Sequence, residues 1–340
     1  MHKAAFFAQK EGGKVSCLLC PQKCIIEDQK RGVCRVRQNI GGELFTLNYG
    51  EITSYALDPI EKKPLYHFYP GHNIFSIGTF GCNLHCRFCQ NWEIAHGDAS
   101  TVKVTPGHLV SLAREAAEQH SIGLAYTYSE PWVWYEFVYD TAVSAREAGL
   151  KNVLVTNGFI EEEPLKKLLP YIDAMNIDVK AFTDDFYRKL CTGRLDPVLR
   201  TVGLAAGRCH LEVTTLLVTG RNDDPSEIAQ LVDWLASVDK DIPLHFSRYF
   251  PNYRMQEPGP TPVKTMQRAY DIAREKLTYV YLGNIRDEKG AHTYCPQCGK
   301  RVIKRNIYLI QEVFIDDNNR CRFCGFQLNI VGKARVNAGW

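Results

Sequence analysis

From residue 73 onward, short apolar runs alternate with stretches whose apolar positions recur every three to four residues. The strand-like runs fall at about 73–80, 122–128, 152–156, 173–179, 210–218, 242–249 and 278–283. The helix-like stretches fall at about 107–120, 131–148, 161–170, 183–190, 226–238 and 261–276. Alternation of this kind predicts an α/β fold with a parallel sheet and right-handed crossovers. About six repeats predict a partial (β/α)6 barrel, with its chemistry at the C-terminal ends of the strands. This divides the chain into an N-terminal extension (1–71), the barrel (72–290) and a C-terminal module (291–340).

The strand ends are polar. They carry Tyr128-Ser129-Glu130, Thr156-Asn157, Asp178-Val-Lys180, Glu212-Val-Thr214-Thr215 and His245-Phe-Ser-Arg248. Any one such group is ordinarily a cap or an ion pair. Five consecutive polar strand ends point instead to a shared task, because polar groups in a barrel mouth are costly unless paired or used.

The 340 residues are 45% apolar and 23% charged, as in ordinary globular proteins. With 41 Lys/Arg against 38 Asp/Glu, the net charge of +3 is too small to argue for nucleic acid or a membrane. The imbalance is local, since residues 295–340 hold 8 Lys/Arg and 3 Asp/Glu. Residues 1–14 lack the apolar core of a signal peptide. No apolar run approaches the roughly 20 residues that span a bilayer. The expectation is a cytoplasmic protein, where thiols stay reduced. It nevertheless holds 13 cysteines, and closely spaced thiols in a reducing compartment bind metal.

Cys295, Cys298, Cys321 and Cys324 form two C-x2-C pairs, each followed by glycine. Two such knuckles predict a zinc ribbon, with residues 301–310 as a strand between them. So small a module needs the metal as a staple. Cys17, Cys20, Cys24 and Cys34 also number four, and their site is either zinc or a second iron–sulfur cluster. Their C-x2-C-x3-C start departs from the ferredoxin run, which favours zinc. Cys82, Cys86 and Cys89 differ in being three. Zinc would need a fourth ligand such as His85 or His96. A [4Fe–4S] cluster held by three thiolates keeps one iron open, and an open metal position is what catalysis uses. Cys191 and Cys209 read as plain buried thiols.

The C-x3-C-x2-C loop, with Phe88 before its last cysteine, resembles the radical SAM superfamily. More of the chain extends the likeness: Cys17-Leu-Leu-Cys20-Pro-Gln-Lys-Cys24, Gly32-Val-Cys34-Arg-Val-Arg37, Asp58 through Phe68, Tyr126 through Pro131, Thr156-Asn157-Gly158 and Asp178-Val-Lys180. With these it resembles the AmmeMemoRadiSam-system radical SAM enzymes, relatives of the pyruvate formate-lyase activating enzymes. The resemblance implies S-adenosylmethionine at the open iron, its reductive cleavage to a 5′-deoxyadenosyl radical, and hydrogen abstraction from a substrate. That substrate is a glycyl residue of a partner protein, or a small molecule or modified side chain. The electron comes from an external flavodoxin- or ferredoxin-type donor.

The resemblance also assigns roles. Glu130 stands where relatives carry Gly-Gly-Glu and takes the methionyl ammonium, although the two glycines are here Tyr128 and Ser129. Asn157 lines the ribose or methionyl side. Lys180 takes the ligand carboxylate, and Asp178 holds Lys180 or the substrate. Phe88 and Trp92 shield the cluster and pack on adenine. The competing class is a zinc-stapled nucleic-acid or protein interaction module without catalysis. It would leave the polar strand ends without a task.

Overall fold

The computed structural model describes residues 1–337. At its centre is one eight-stranded sheet. Its strands are β1 (Ser54–Pro59), β2 (Asn73–Gly78), β3 (Ser121–Tyr126), β4 (Lys151–Thr156), β5 (Ala174–Asp178), β6 (His210–Leu217), β7 (Leu244–Arg248) and β8 (Val280–Gly283). Neighbours in the chain are neighbours in the sheet. β2 through β8 pair in parallel, whereas β1 runs antiparallel to β2. The seven parallel strands coincide with the seven strand-like runs. The division expected at residue 71 falls between two hydrogen-bonded strands of this sheet.

The crossovers carry α1 (Pro106–Glu115), α2 (Tyr135–Glu147), α3 (Glu162–Leu168), α4 (Leu195–Ala205), α5 (Pro225–Asp239) and α6 (Val263–Arg274). Their starts follow capping chemistry: the side chain of Asp224 accepts from Ser226 N at 2.8 Å, and Pro225 opens α5. α5 buries Ile228, Leu231, Val232 and Leu235, one helical stripe against the sheet. α4 was not foreseen. The expected helix at 183–190 is instead a short turn, Asp184–Phe186, running into a wider π turn, Tyr187–Cys191.

The N-terminal extension forms two small antiparallel sheets. It is clamped to α2 by Arg37, whose Nη1 and Nη2 donate to Glu136 Oε1 and Oε2 at 2.8 Å each. The C-terminal module is a three-stranded antiparallel sheet of Thr293–Tyr294, Arg301–Asn306 and Leu309–Val313. The single strand expected at 301–310 is a hairpin, turned at Ile307 with φ of 56°.

This module closes the barrel at the end opposite the site. Glu212 of β6 is fully buried and accepts from Tyr66 N, His67 N, His210 Nε2 and His245 Nε2 at 3.0, 2.7, 2.9 and 2.6 Å. The two imidazoles hold its carboxyl far below the ordinary range despite burial. His67 is packed here too, its ring nitrogens 2.6 Å from Asn329 O and from Tyr281 Oη. No helix among the described residues is long and apolar enough to cross a membrane.

Candidate active site

The C-terminal end of β2 delivers the loop that carries Cys82, Cys86 and Cys89. Gly81 starts it with φ of 93°, and a Cβ there would lie 2.8 Å from Cys34 O, so only glycine fits. The loop backbone is then fixed by the π turn: His85 N donates to Cys191 O at 2.8 Å and Arg87 N to Leu190 O at 2.9 Å. Leu84 N points at Cys82 Sγ, 3.4 Å away.

The three thiols line one cavity of about 240 Å³, together with Phe88, Tyr128, Glu130, Asn157, Asp178 and Lys180. The structure thus brings the three loop cysteines and five of the six side chains expected around the ligand to a single concave surface; Trp92 is not among those that line it. The cavity sits at the C-terminal ends of β2 to β7, as the barrel geometry requires.

Glu130 follows β3. Its carboxylate accepts from Thr156 Oγ1 at 2.6 Å, Asn157 N at 2.9 Å and Trp132 N at 3.2 Å. Burial nevertheless pushes its carboxyl up to about 7, because none of those donors is a cation. The backbone just before it is held as a glycine would hold it: Tyr128, in the place of a glycine of the Gly-Gly-Glu pattern, has φ of 68°. Asn91 Nδ2 anchors the Tyr128 carbonyl at 2.6 Å.

Asn157 does not turn to open solvent. Its Nδ2 reaches Cys82 Sγ at 3.7 Å and Asn83 Oδ1 at 2.9 Å. Lys180 Nζ pairs with Asp178 Oδ2 at 2.9 Å. Burial works against its charge, but Asp178 and the nearby Cys86 and Cys191 thiols keep the ammonium protonated well beyond its ordinary range. Phe88 is 5% exposed and packs on Phe186, with centroids 5.7 Å apart. Trp92 stacks on Tyr253 at 5.2 Å. Among the described residues His85 and His96 do not complete a compact ligand set with the three thiols. Their rings stack on each other at 4.7 Å.

Three features escaped the sequence reading. Cys191 is fully buried against the loop, and together with Lys180 it lowers the Cys86 thiol. Tyr128 Oη donates to Asp58 Oδ2 at 2.7 Å, and Lys63 Nζ binds the same oxygen at 2.7 Å. Asn83 ties the loop to the N-terminal extension through Gln22 Nε2 at 2.9 Å. The Asp58–Phe68 stretch was a visible signal for the second; the other two are tertiary contacts without a local pattern.

The C-terminal quartet is drawn together independently. Cys295 and Cys324 Sγ are 3.6 Å apart, Cys298 and Cys321 Sγ 3.8 Å, and all four ligand atoms lie within 4.8 Å of one another. This arrangement can hold a metal ion.

Comparison with known proteins agrees with this geometry. Residues 76–235 match the radical SAM superfamily. An uncharacterized protein of Methanocaldococcus jannaschii is 42% identical over 338 residues, spanning 97% of this chain and 100% of the relative. The pyruvate formate-lyase 1-activating enzyme of Escherichia coli is 22% identical over 212 residues, 57% of this chain and 86% of that enzyme. Among solved structures, Streptococcus suis SuiB bound to S-adenosylmethionine gives a TM-score of 0.51 at 13% identity. The match covers 67% of this chain and about half, 53%, of SuiB, and at that identity it speaks to the fold alone. A three-cysteine loop at the mouth of a parallel barrel and a superfamily match over that loop agree: residues 76–235 form a radical SAM domain.

Proposed function

We propose that the chain holds a [4Fe–4S] cluster on Cys82, Cys86 and Cys89 and binds S-adenosylmethionine beside it. The resulting radical removes a hydrogen atom from a glycyl residue of a partner protein. The observation that carries the reading is the convergence of three thiols, a buried carboxylate and a charged lysine on one cavity. The residues present fit the cluster. The thiols are free, Leu84 N and Asn157 Nδ2 point at Cys82 Sγ, and Lys180 offsets negative charge near Cys86.

When bound, such a cluster supplies one electron to the sulfonium of S-adenosylmethionine, breaking a C–S bond to give methionine and a 5′-deoxyadenosyl radical. The chain's own residues bind and orient. Glu130, fixed by three uncharged donors, receives the methionyl ammonium as a charge-assisted bond. Lys180, steadied by Asp178, receives the carboxylate. Asn157 positions Cys82, and Phe88 closes the cavity wall against water. The electron comes from an external flavodoxin- or ferredoxin-type donor.

Similarity to the pyruvate formate-lyase 1-activating enzyme supports a protein substrate. The motifs at Cys17–Arg37 and Asp58–Phe68 support the finer reading as an AmmeMemoRadiSam-system enzyme. Zinc suits the C-terminal quartet, because four thiolates about 2.3 Å from a tetrahedral ion stand about 3.8 Å apart.

The test is anaerobic reconstitution followed by reduction with S-adenosylmethionine present. The expected product is 5′-deoxyadenosine, carrying deuterium from a glycine-deuterated partner. Label arriving only from a small molecule moves the substrate to that class. Zinc alone at the Cys82 loop, with no 5′-deoxyadenosine, overturns the reading.

A further inference from the structure

Cys17, Cys20, Cys24 and Cys34 do not take the arrangement that zinc requires, although their spacing favoured it. Tetrahedral zinc would set the four sulfurs about 3.8 Å apart. Among the described residues only the C-terminal quartet draws its ligand atoms within 4.8 Å of one another, and the N-terminal thiols stand further apart. They instead surround a common cavity, together with Arg37, Asn83 and Val133. Thiolates that each bind a different iron of a cluster are spread in this way, whereas thiolates sharing one ion are not.

Arg37 is the second, independent observation. It lines the same cavity and is 1% exposed. Both of its Nη atoms are spent on Glu136, while its Nε–H is buried with no hydrogen-bond partner. A buried donor left unpaired costs about 1–3 kcal/mol, so its persistence calls for an acceptor. The sulfur of a cluster in the cavity is such an acceptor.

The third observation is position. Asn83 lines this cavity and is covalently next to Cys82. It receives hydrogen bonds from Gln22 of the extension at 2.9 Å and from Asn157 of the catalytic cavity at 2.9 Å. One residue therefore bridges the two cysteine sites.

We infer that Cys17, Cys20, Cys24 and Cys34 hold an iron–sulfur cluster, a one-electron site beside the Cys82 loop, with Arg37 Nε–H donating to it. One electron enters from an external low-potential flavin or iron–sulfur protein and leaves toward the Cys82 site. No bond is made or broken there, and no proton moves. The direction of transfer rests on the proposed function; the identity of the metal does not.

The test is metal counting and electron paramagnetic resonance on the anaerobically reconstituted full chain, beside a variant carrying Cys82→Ala, Cys86→Ala and Cys89→Ala together. The wild type is expected to hold about eight irons and the variant about four, as two four-iron clusters and one. The variant's reduced signal should ignore added S-adenosylmethionine. A variant with zinc and no iron overturns the inference. Should that variant fail to fold, the wild type decides: about four irons, all answering to S-adenosylmethionine, overturn it equally. Failure of the proposed function reads differently, as iron at the N-terminal site and no response to S-adenosylmethionine in either protein.

Discussion

The guanidinium of Arg305 lies 4.3 Å from the centre of the Tyr66 ring, and its Nη2 donates to the Tyr66 carbonyl at 2.9 Å. Arg305 comes from the C-terminal sheet and Tyr66 from the segment that closes the barrel. Arg305 also donates to Thr293 Oγ1 at 2.7 Å and lies 4.0 Å from Glu61 Oε1, both charges fully buried. The module and the barrel are therefore joined through a desolvated cation. Lysine has no planar fork to stack and donate at once. Arg305→Lys or Arg305→Met should destabilise the protein by about 1–3 kcal/mol, the cost of leaving the buried Tyr66 carbonyl and Thr293 hydroxyl without their donor. Denaturant unfolding of the metal-loaded protein measures this. A midpoint within error of wild type would show that the contact is incidental.

Removing the metal from Cys295, Cys298, Cys321 and Cys324 should reach the same seam from the other side. The module's own core is small, being Cys295, Val302, Ile303, Ile310, Ile315, Cys321, Leu328 and Ile330. Without its metal that core should not persist. Asn329 then releases His67, and Arg305 releases Tyr66. Hydrogen exchange after chelation should therefore quicken over residues 293–331 and also over 66–68. Fast exchange confined to the module would mean that the barrel end is self-supporting.

At the catalytic loop, Cys82→Ala, Cys86→Ala and Cys89→Ala should each abolish 5′-deoxyadenosine formation and remove about four irons per chain. Cys191→Ala should behave differently. It takes away only a neighbour that lowers the Cys86 thiol, so iron should stay while the reduction potential moves. Iron loss in Cys191→Ala would make Cys191 a ligand.

The parallel strands were legible because both of their faces are covered, which writes them as apolar runs. In β5, Ala174, Met175, Asn176 and Ile177 are all buried. β1 was hidden, since its Asp58 and Pro59 read as a loop; Asp58 is buried instead, against Lys63 and Tyr128. α4 was not among the expected helices, and Pro197 weakens its signal, although proline is tolerated in a first turn. Its stripe of Val198, Thr201, Val202 and Ala205 was the signal to weigh against it. The polar strand ends exposed most of the cavity. Contacts such as Cys86 with Cys191 lie about a hundred residues apart in sequence, where no spacing rule reaches. Nothing in the basic strand Arg301–Asn306 marks Arg305 as the side chain that points inward.

Glu130 gives the sharpest test, because its charge state has a sign. Burial raises its carboxyl from 4.5 to about 7. The folded, ligand-free chain thus keeps a proton that the unfolded chain loses. Its contribution to stability is fully present below about 4.5 and is lost as pH rises through about 7, by on the order of 3 kcal/mol. Glu61 is raised to about 7 in the same way, so the difference between wild type and Glu130→Gln isolates the group. An arriving ammonium reverses the preference and favours the carboxylate. Binding of S-adenosylmethionine should therefore release a proton and tighten as pH rises from about 5.5 to 7. Glu130→Gln should bind roughly 10- to 100-fold more weakly, as expected for loss of a charged hydrogen bond. It should lose that pH dependence and keep its iron. Calorimetric titration at both pH values reads all of this; wild-type affinity that stays flat across the window removes Glu130 from the ammonium site.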